Sequence, residues 1–324
     1  MADDSGDKRR TRKRRQARRS DKDEAGSGFG VTVRARDLPV KAEVKRVRRK
    51  PRAKRQAAEL VSPGTDGAQH FTDPDLRRLH SRGYFDEFVG LIKGGKEATV
   101  FLVRRGETRL AAKVYADIEA RSFRNDAPYW EALKFEDERL ARAIKRKSRA
   151  GRKAQVALWV MREYANLWRL HEAGVRVPVP ALPPEPSAWA AAGSVVLMEF
   201  VGIGDEPAER LADVRLAAEE AQAAYEQAAD LVVRLAALGV VHGDLSTYNL
   251  LWHSGEIVLI DLPQLMDVRV GHAARELLDR DLASLTSSFS ALGATVDEGA
   301  LAARVMAALP PEPPREDLLG PQGS

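Results

Sequence analysis

The segment Val240–Trp252, VVHGDLSTYNLLW, decides how this chain of 324 residues is interpreted. It places a histidine, an aspartate, a serine, a tyrosine and an asparagine between two apolar runs. Polar side chains are seldom packed so densely in such a position unless they bond to one another or to a ligand. The sequence on either side must therefore decide whether the segment is structural or chemical.

The spacing within this segment is that of a phosphoryl-transfer loop. Asp244 follows His242 after one residue, and Asn249 lies five residues further on, as in the catalytic loop of protein kinases. Asp261 follows twelve residues later, at the end of the apolar run IVLI. Asp244 suits a catalytic base, whereas Asn249 and Asp261 offer the hard oxygen ligands that Mg²⁺ prefers. Taken alone, the loop could also be a polar network that only ties the backbone together.

Upstream segments offer partners for such a loop. Residues Phe88–Tyr115, FVGLIKGGKEATVFLVRRGETRLAAKVY, predict an antiparallel meander of three strands, the third of which contains Lys113. A buried lysine needs an anionic partner, and we expect Glu163 in the following amphipathic helix to provide it. The turn GGKEATV contains Lys96 and glycines that let the backbone approach phosphate. The alternatives are a solvent-directed Lys113 and an ordinary surface Glu163.

A set of motifs gives the chain a resemblance to a known family. KGGKEATVFLV, AAKVY, REYANLWRLHEAGVRVPVP, VLMEFVG, HGDLSTYNLL and IDLPQ occur in the order found in RIO-type atypical serine/threonine protein kinases. The resemblance runs from about Gly83 to Val268. The order of β-rich and helical segments predicts an α+β, two-lobed chain. The resemblance specifies this as a bilobal protein-kinase-like fold, with a small antiparallel-sheet N-lobe and a mostly helical, truncated C-lobe.

The resemblance also implies roles for individual residues. It implies that Lys113 contacts the phosphates of ATP and that Glu163 pairs with Lys113. Asp244 would be catalytic, and Asn249 and Asp261 would bind Mg²⁺ or Mn²⁺. If the enzyme is an ATPase, Asp261 would itself be the catalytic group that is phosphorylated. The hinge that contacts adenine would comprise Met198, Glu199 and Phe200, although a core strand would have the same sequence pattern.

Three departures from ordinary protein kinases bear on the substrate. The chain has no G-x-G-x-x-G loop, no A-P-E motif, and no D-F-G, because Asp261 is followed by Leu262 and Pro263. The long activation segment that binds peptides in ordinary kinases is therefore missing, as it is in RIO-type kinases. Lys93 and Gly94 stand where the family has a serine or threonine, which predicts different phosphate contacts there.

Charge is distributed unevenly along the chain. Residues 1–56 hold 21 Lys/Arg and 8 Asp/Glu, a net charge of +13, whereas the remainder carries a net charge of −8. Such a basic segment with few large apolar residues is expected to be disordered, and to bind phosphate backbones without reading sequence. By resemblance, ribosomal RNA is its expected partner, although a non-specific polycation would have the same composition.

The composition also limits the class of protein. Cysteine is absent, which excludes disulfides and thiolate sites, and no apolar run is long enough to span a bilayer. We therefore expect a cytoplasmic protein without membrane contact. Its expected divisions are a disordered basic tail (1–56), a linker with a short helix (57–82), the N-lobe (83–200), the C-lobe (201–308) and a disordered Pro-rich tail (309–324).

The motifs and the resemblance together predict an ATP- and Mg²⁺-dependent RIO-type kinase or ATPase, and the resemblance implies a role in ribosome-related assembly. Its acceptor would be serine in an unknown protein or in itself, with Ser148 as the candidate for self-phosphorylation. Two alternatives remain open: a small-molecule phosphotransferase of the aminoglycoside or sugar kinase type, and a nucleotide-switched RNA-binding assembly factor. Consumption of ATP in the presence of aminoglycosides or sugars would favour the first alternative.

Overall fold

The computed structural model describes residues 61–63, 69–95, 98–115, 148–268 and 272–311, together with the single residues 142, 144 and 146. Lys96 and almost all of the two predicted tails lie outside these residues, so the predictions made for them remain predictions. Within the described residues, no helix has the length and apolar character required to cross a membrane.

The first described elements form a hairpin and a short helix. Strand β1 (Val61–Pro63) pairs antiparallel with β2 (Gln69–Phe71), and helix α1 spans Pro74–Ser81. The side chain of Asp73 caps this helix by accepting the backbone N–H groups of Asp75 and Leu76 at 3.0 and 3.2 Å. A polar cap followed by proline in the first turn starts a helix efficiently, and the sequence shows both signals.

Four strands form the N-terminal sheet. They are β3 (Glu87–Gly94), β4 (Ala98–Arg105), β5 (Thr108–Tyr115) and β6 (Val195–Glu199), hydrogen-bonded in that order and all antiparallel. The predicted meander is therefore confirmed. Since β5 lies between β4 and β6, Lys113 is held on an inner strand, opposite a valine on either side.

Helix α2 spans Arg149–Glu172 and packs beside this sheet. Ser148 caps it by accepting the N–H of Gly151 at 3.0 Å, and Gly174, with φ of +73°, follows its end. The basic run Lys145–Lys153, KRKSRAGRK, predicts a mobile loop from its sequence alone, but residues 149–153 are helical. The prediction is wrong for these residues because the cap at Ser148 starts the helix inside the charge run.

Helix α3 (Pro186–Ala192) belongs to the first half, and the elements after β6 form the C-terminal half. The helices of the C-terminal half are α4 (Ala218–Ala237), α5 (His272–Ala291) and α6 (Glu298–Ala308). Its short strands are β7 (Gly202–Ile203), β8 (Glu206–Pro207), β9 (Glu209–Arg210), β10 (Val240–Val241), β11 (Leu250–His253), β12 (Glu256–Leu259) and β13 (Met266–Asp267). Helix α3 precedes β6 in the chain and packs against α1 and α2. The sheet-rich first half and mostly helical second half confirm the α+β, kinase-like fold.

One hairpin of the C-terminal half positions the predicted metal ligands. Strands β11 and β12 pair antiparallel with Leu250 opposite Leu259, and Ser254 and Gly255 turn the chain, both with positive φ. Asn249 directly precedes β11, and Asp261 lies two residues beyond β12. The N–H of Ile260 donates to the carbonyl of Asn249 at 3.0 Å, which fixes the two segments side by side.

Candidate active site

Lys113 is the centre of the charged cluster. Its Nζ atom lies 2.7 Å from Oε1 of Glu163 on α2 and 2.8 Å from Oδ1 of Asp261 beyond β12. The side chains of Lys113 and Glu163 are 11% and 2% exposed, whereas that of Asp261 is 45% exposed. The ion pair predicted from the sequence is therefore present, and the lysine also reaches across to the second half of the chain.

The charges of this cluster set one another's protonation. Burial alone would lower the pKa of the Lys113 ammonium, but the carboxylates of Asp261 and Glu163 outweigh it and hold that pKa well above its usual value. Burial raises the pKa of Glu163, and Lys113 offsets only part of that rise. Burial would also raise the pKa of Asp261, but Lys113 reverses the shift and lowers it. Lys113 is therefore charged and Asp261 ionised at neutral pH.

Tyr115 completes the partners of Glu163. Its hydroxyl donates to Oε2 of Glu163, and its ring centroid lies 5.1 Å from Nζ of Lys113. Tyr115 was not anticipated from the sequence. The signal was available, because residues two apart on a strand share one face, and Tyr115 is two residues beyond Lys113.

The catalytic-loop residues predicted from the sequence are adjacent in space. Nδ2 of Asn249 donates to the carbonyl of Asp244 at 2.7 Å and approaches its Oδ2 at 3.5 Å. The side chain of Asp244 is exposed, so it is open to an acceptor from solvent. His242 is buried, and its Nε2 lies 3.2 Å from the carbonyl of Ile260. The histidine thus links the catalytic loop to the segment that leads into Asp261.

Asp281 on α5 holds the same loop through backbone hydrogen bonds. It was not anticipated from the sequence. Its carboxylate accepts the backbone N–H groups of Gly243 and Leu245 at 2.7 and 2.9 Å, and the residue is 2% exposed. Burial raises the pKa of Asp281, and the two N–H donors and nearby cationic groups offset part of that rise. Arg280 adds a guanidinium that donates to the carbonyl of Gly243. The peptide groups on both sides of Asp244 are thereby fixed to one helix.

The predicted hinge residues end strand β6. Met198 and Phe200 are buried, whereas Glu199 is partly exposed and forms a double hydrogen bond with Arg176, 2.8 Å at each oxygen. The N–H of Val179 also donates to Glu199 at 3.0 Å. The Glu199 side chain thus binds the connector after α2 and does not join the Lys113 cluster. Contact between this hinge and adenine remains a prediction.

The donor set at the hairpin suits a magnesium ion. Among the described residues, no three His, Asp or Glu side chains converge into a self-contained metal cage. Asn249 and Asp261 offer an amide and a carboxylate oxygen from neighbouring segments, and Asp261 is ionised and partly exposed. Mg²⁺ commonly takes one or two protein carboxylates and completes its shell with water and substrate phosphates, which is the arrangement these residues allow.

The chain is similar in sequence to a family of known proteins. The family model described as RIO domain matches residues 99–301, more than half of the chain. The chain is 39% identical over 227 residues to the RIO-type serine/threonine-protein kinase Rio1 of Haloferax volcanii, an alignment that covers 70% of this chain and 71% of the relative. It is 33% identical over 151 residues to the Rio1 of Thermoplasma acidophilum, with 47% and 74% covered.

Animal relatives are longer than this chain's matching region. The serine/threonine-protein kinase RIO1 of Caenorhabditis elegans is 31% identical over 257 residues, which cover 78% of this chain but 46% of the relative. The RIO3 kinase of Mus musculus is 29% identical over 246 residues, with 70% and 44% covered. The chain thus spans less than half the length of these relatives. The matched region nevertheless holds every described residue of the Lys113 cluster and the catalytic loop, and the chain belongs to the RIO family of atypical protein kinases.

Proposed function

We propose that this chain transfers the γ-phosphate of ATP to a serine hydroxyl in a Mg²⁺-dependent reaction. One observation carries the proposal: Lys113 binds Glu163 and Asp261 together, beside a loop in which Asn249 bonds to Asp244. A cation, two oxygen ligands and an exposed carboxylate are the parts that phosphoryl transfer requires. Names of the relatives as serine/threonine-protein kinases support the same activity.

Each residue has a defined task in this reaction. Lys113 binds the phosphate oxygens, and Glu163 keeps the lysine extended toward them. Asn249 and Asp261 hold Mg²⁺, which when bound neutralises charge on the phosphates. Asp244 orients the serine hydroxyl and accepts its proton as the new oxygen–phosphorus bond forms and the bond to the ADP oxygen breaks.

Labelled ATP tests the proposal. Purified protein is incubated with γ-labelled ATP and Mg²⁺, and label on protein and free phosphate are followed for wild type, Asp244→Asn and Asp261→Asn. We expect both variants to lose at least a hundredfold in transfer, while Asp230→Asn, an exposed carboxylate on α4, retains wild-type rates. Full transfer by Asp244→Asn would show that the catalytic residue is elsewhere.

An ATPase cycle is a second candidate, favoured by the exposure of Asp261. A carboxylate that is 45% exposed beside the phosphate-binding lysine is accessible to a phosphoryl group. Transfer to Asp261 would give an acyl phosphate, which water then hydrolyses. Label that hydroxylamine releases, and that Asp261→Asn abolishes, would support this cycle, whereas acid-stable label would indicate a hydroxyl acceptor.

Ser148 is the proposed self-phosphorylation site. Its side chain is exposed at the start of α2, where it caps the helix through Gly151. A phosphate at a helix N-terminus is favoured by the helix dipole, so modification would be compatible with the fold. Radiolabel that maps to other residues, with Ser148→Ala unaffected, would eliminate this site.

The basic segment 1–56 is proposed to bind RNA, with ribosomal RNA as the partner suggested by the family resemblance. The proposal is supported by its net charge of +13, since a polycation gains affinity for phosphate backbones by releasing counterions. The rest of the chain, with a net charge of −8, would contribute little attraction to RNA phosphates. We further propose that the protein acts in the cytoplasm.

A further inference from the structure

The backbone at Asp261 has an unusual conformation. Its φ is +66°, in the left-handed region that few residues other than glycine adopt. The chain has left β12 at this point and does not enter β13 until Met266. Non-glycine residues keep such a conformation when surrounding contacts hold them in it. The direction of the Asp261 carboxylate therefore depends on what holds the segment 261–265.

Two side chains of helix α2 hold that segment. Nδ2 of Asn166 donates to the carbonyl of Leu262 at 2.7 Å, and a guanidinium nitrogen of Arg162 donates to the carbonyl of Leu265 at 2.9 Å. Asn166 is 5% exposed and Leu262 fully buried, so water is poorly placed to replace the first bond. The carbonyl bound by Asn166 belongs to the residue directly after Asp261.

The same helix also carries Glu163, which holds Lys113. Positions 162, 163 and 166 are neighbours on the helix surface, since residues three and four apart lie on one face. Glu163 acts on the side chain of Asp261 through Lys113, whereas Asn166 acts on its backbone through Leu262. Helix α2 thus fixes both the backbone from which the Asp261 side chain extends and the lysine with which its carboxylate pairs.

We propose that Asn166 is a positioning residue for the metal site, with Arg162 as a second anchor of the same segment. The inference rests on the proposed function, in which Asp261 is a metal ligand. Asn166 fixes the peptide after Asp261 and thereby directs the carboxylate toward the metal position that Asp261 would share with Asn249. Residues that orient metal ligands in this way typically affect metal affinity 10- to 100-fold.

The test measures metal binding and not turnover. Free Mn²⁺ is followed by electron paramagnetic resonance in the presence of ADP for wild type, Asn166→Leu and Arg162→Met. Leucine keeps the four side-chain heavy atoms of asparagine and its branching at Cγ but lacks the N–H donor. The control is Trp168→Phe, on the same helix, which removes a 2.9 Å hydrogen bond to the carbonyl of Leu182, away from the metal segment.

We expect Asn166→Leu to weaken Mn²⁺ binding at least tenfold and Arg162→Met to weaken it less, while Trp168→Phe remains within twofold of wild type. ADP affinity without metal should stay within twofold in all three. Hydrogen exchange should accelerate in the peptide 260–268 of Asn166→Leu, and not in the control. A merely structural role would lower thermal stability without separating metal affinity from nucleotide affinity.

Wild-type Mn²⁺ affinity in folded Asn166→Leu overturns the inference. If Asn166→Leu does not fold, wild-type affinity in Arg162→Met overturns it instead, because that side chain is partly exposed and its loss is tolerated by the core. The proposed function fails separately: a wild type that binds Mn²⁺ and ADP but transfers no phosphate contradicts the kinase activity alone. A wild type that binds no Mn²⁺ with ADP contradicts both.

Discussion

Lys113 is a nearly buried cation that binds two carboxylates from different parts of the chain. Glu163 is almost completely buried, with Lys113 and Tyr115 as its bonded neighbours. A carboxylate in such surroundings depends on its cation, because desolvation is costly and no water replaces the lost partner. Breaking this ion pair is therefore expected to destabilise the fold, apart from the role proposed for Lys113 in binding phosphate.

Removing the cation should destabilise the protein measurably. We expect Lys113→Met to lower the free energy of unfolding by about 3 kcal/mol, since breaking a buried pair strands the remaining charge. Adding Glu163→Gln should recover part of the loss, because the amide carries no charge. Urea unfolding of both single variants and the double variant measures this coupling. Strictly additive effects would contradict an energetic link between the two side chains.

Glu199 gives a stability change that depends on pH. Burial alone would raise the pKa of Glu199, but the hydrogen bonds from Arg176 and from the N–H of Val179 outweigh burial and lower it. A lowered pKa stabilises the fold above the pKa of the unfolded chain, about 4.3, and this stability is lost as pH falls through the folded value. Glu199→Gln should therefore cost about 1 kcal/mol at pH 7 and progressively less below about pH 4.

Chemical unfolding at pH 7 and at pH 3.5 checks this difference. Glu172→Gln, which makes the same chemical change at an exposed position near the end of α2, provides the matched control and should change the free energy of unfolding little. An equal cost of Glu199→Gln at both pH values would mean that shape, and not charge, holds Arg176 to the hinge.

At the scale of elements, helix α5 holds the loop around Asp244 through hydrogen bonds. Asp281 offers two carboxylate oxygens to two peptide N–H groups on either side of Asp244. An asparagine has one acceptor oxygen, so Asp281→Asn must release one of these groups. Displacement of a catalytic group by about 1 Å can reduce rates a hundredfold. We expect kcat to fall at least tenfold, with the KM for ATP changed less than about twofold.

Asp279→Asn serves as the comparison for Asp281→Asn. It makes the same chemical change on the same helix at an exposed position. Steady-state kinetics and thermal unfolding of both variants distinguish loop support from general loss of stability. Similar kcat values for the two variants would remove Asp281 from the proposed support of the loop.

Local signals made many of these elements predictable from the sequence. The alternation in β4 and β5, the cap at Asp73 and the glycine after α2 each act within a few residues. Asp281 and Asn166 were not predictable in this way, because their partners lie 38 and 96 residues away. In sequence they are single polar residues in amphipathic helices, and only the packing of those helices gives each a partner.

At the scale of the whole molecule, the lobes are joined through charge and hydrogen bonds as well as through the hinge. The boundary proposed between them lies near residue 200, just after β6 ends at Glu199. Lys113 on the sheet bonds to Asp261 of the second lobe, and residues of α2 bond to the loop that follows it. The contacts between the two halves therefore include the groups proposed to take part in phosphoryl transfer.

The basic tail provides a prediction for the whole chain. Binding to ribosomal RNA should weaken steeply as salt rises, because each neutralised phosphate releases a counterion. Deleting residues 1–56 should lower the affinity at least tenfold and flatten the dependence of log K on log salt. Filter binding at several salt concentrations measures both. Unchanged affinity in the shortened chain would assign RNA contact to the kinase lobes or remove it altogether.

The shared bond of Lys113 has a consequence for how the two carboxylates are coupled. Glu163 and Asp261 contact the same ammonium, so a change of charge on one alters the electric field at the other. Loss or protonation of either carboxylate would leave the lysine paired with the other one. The two halves of the chain are thereby coupled electrostatically through a single cation.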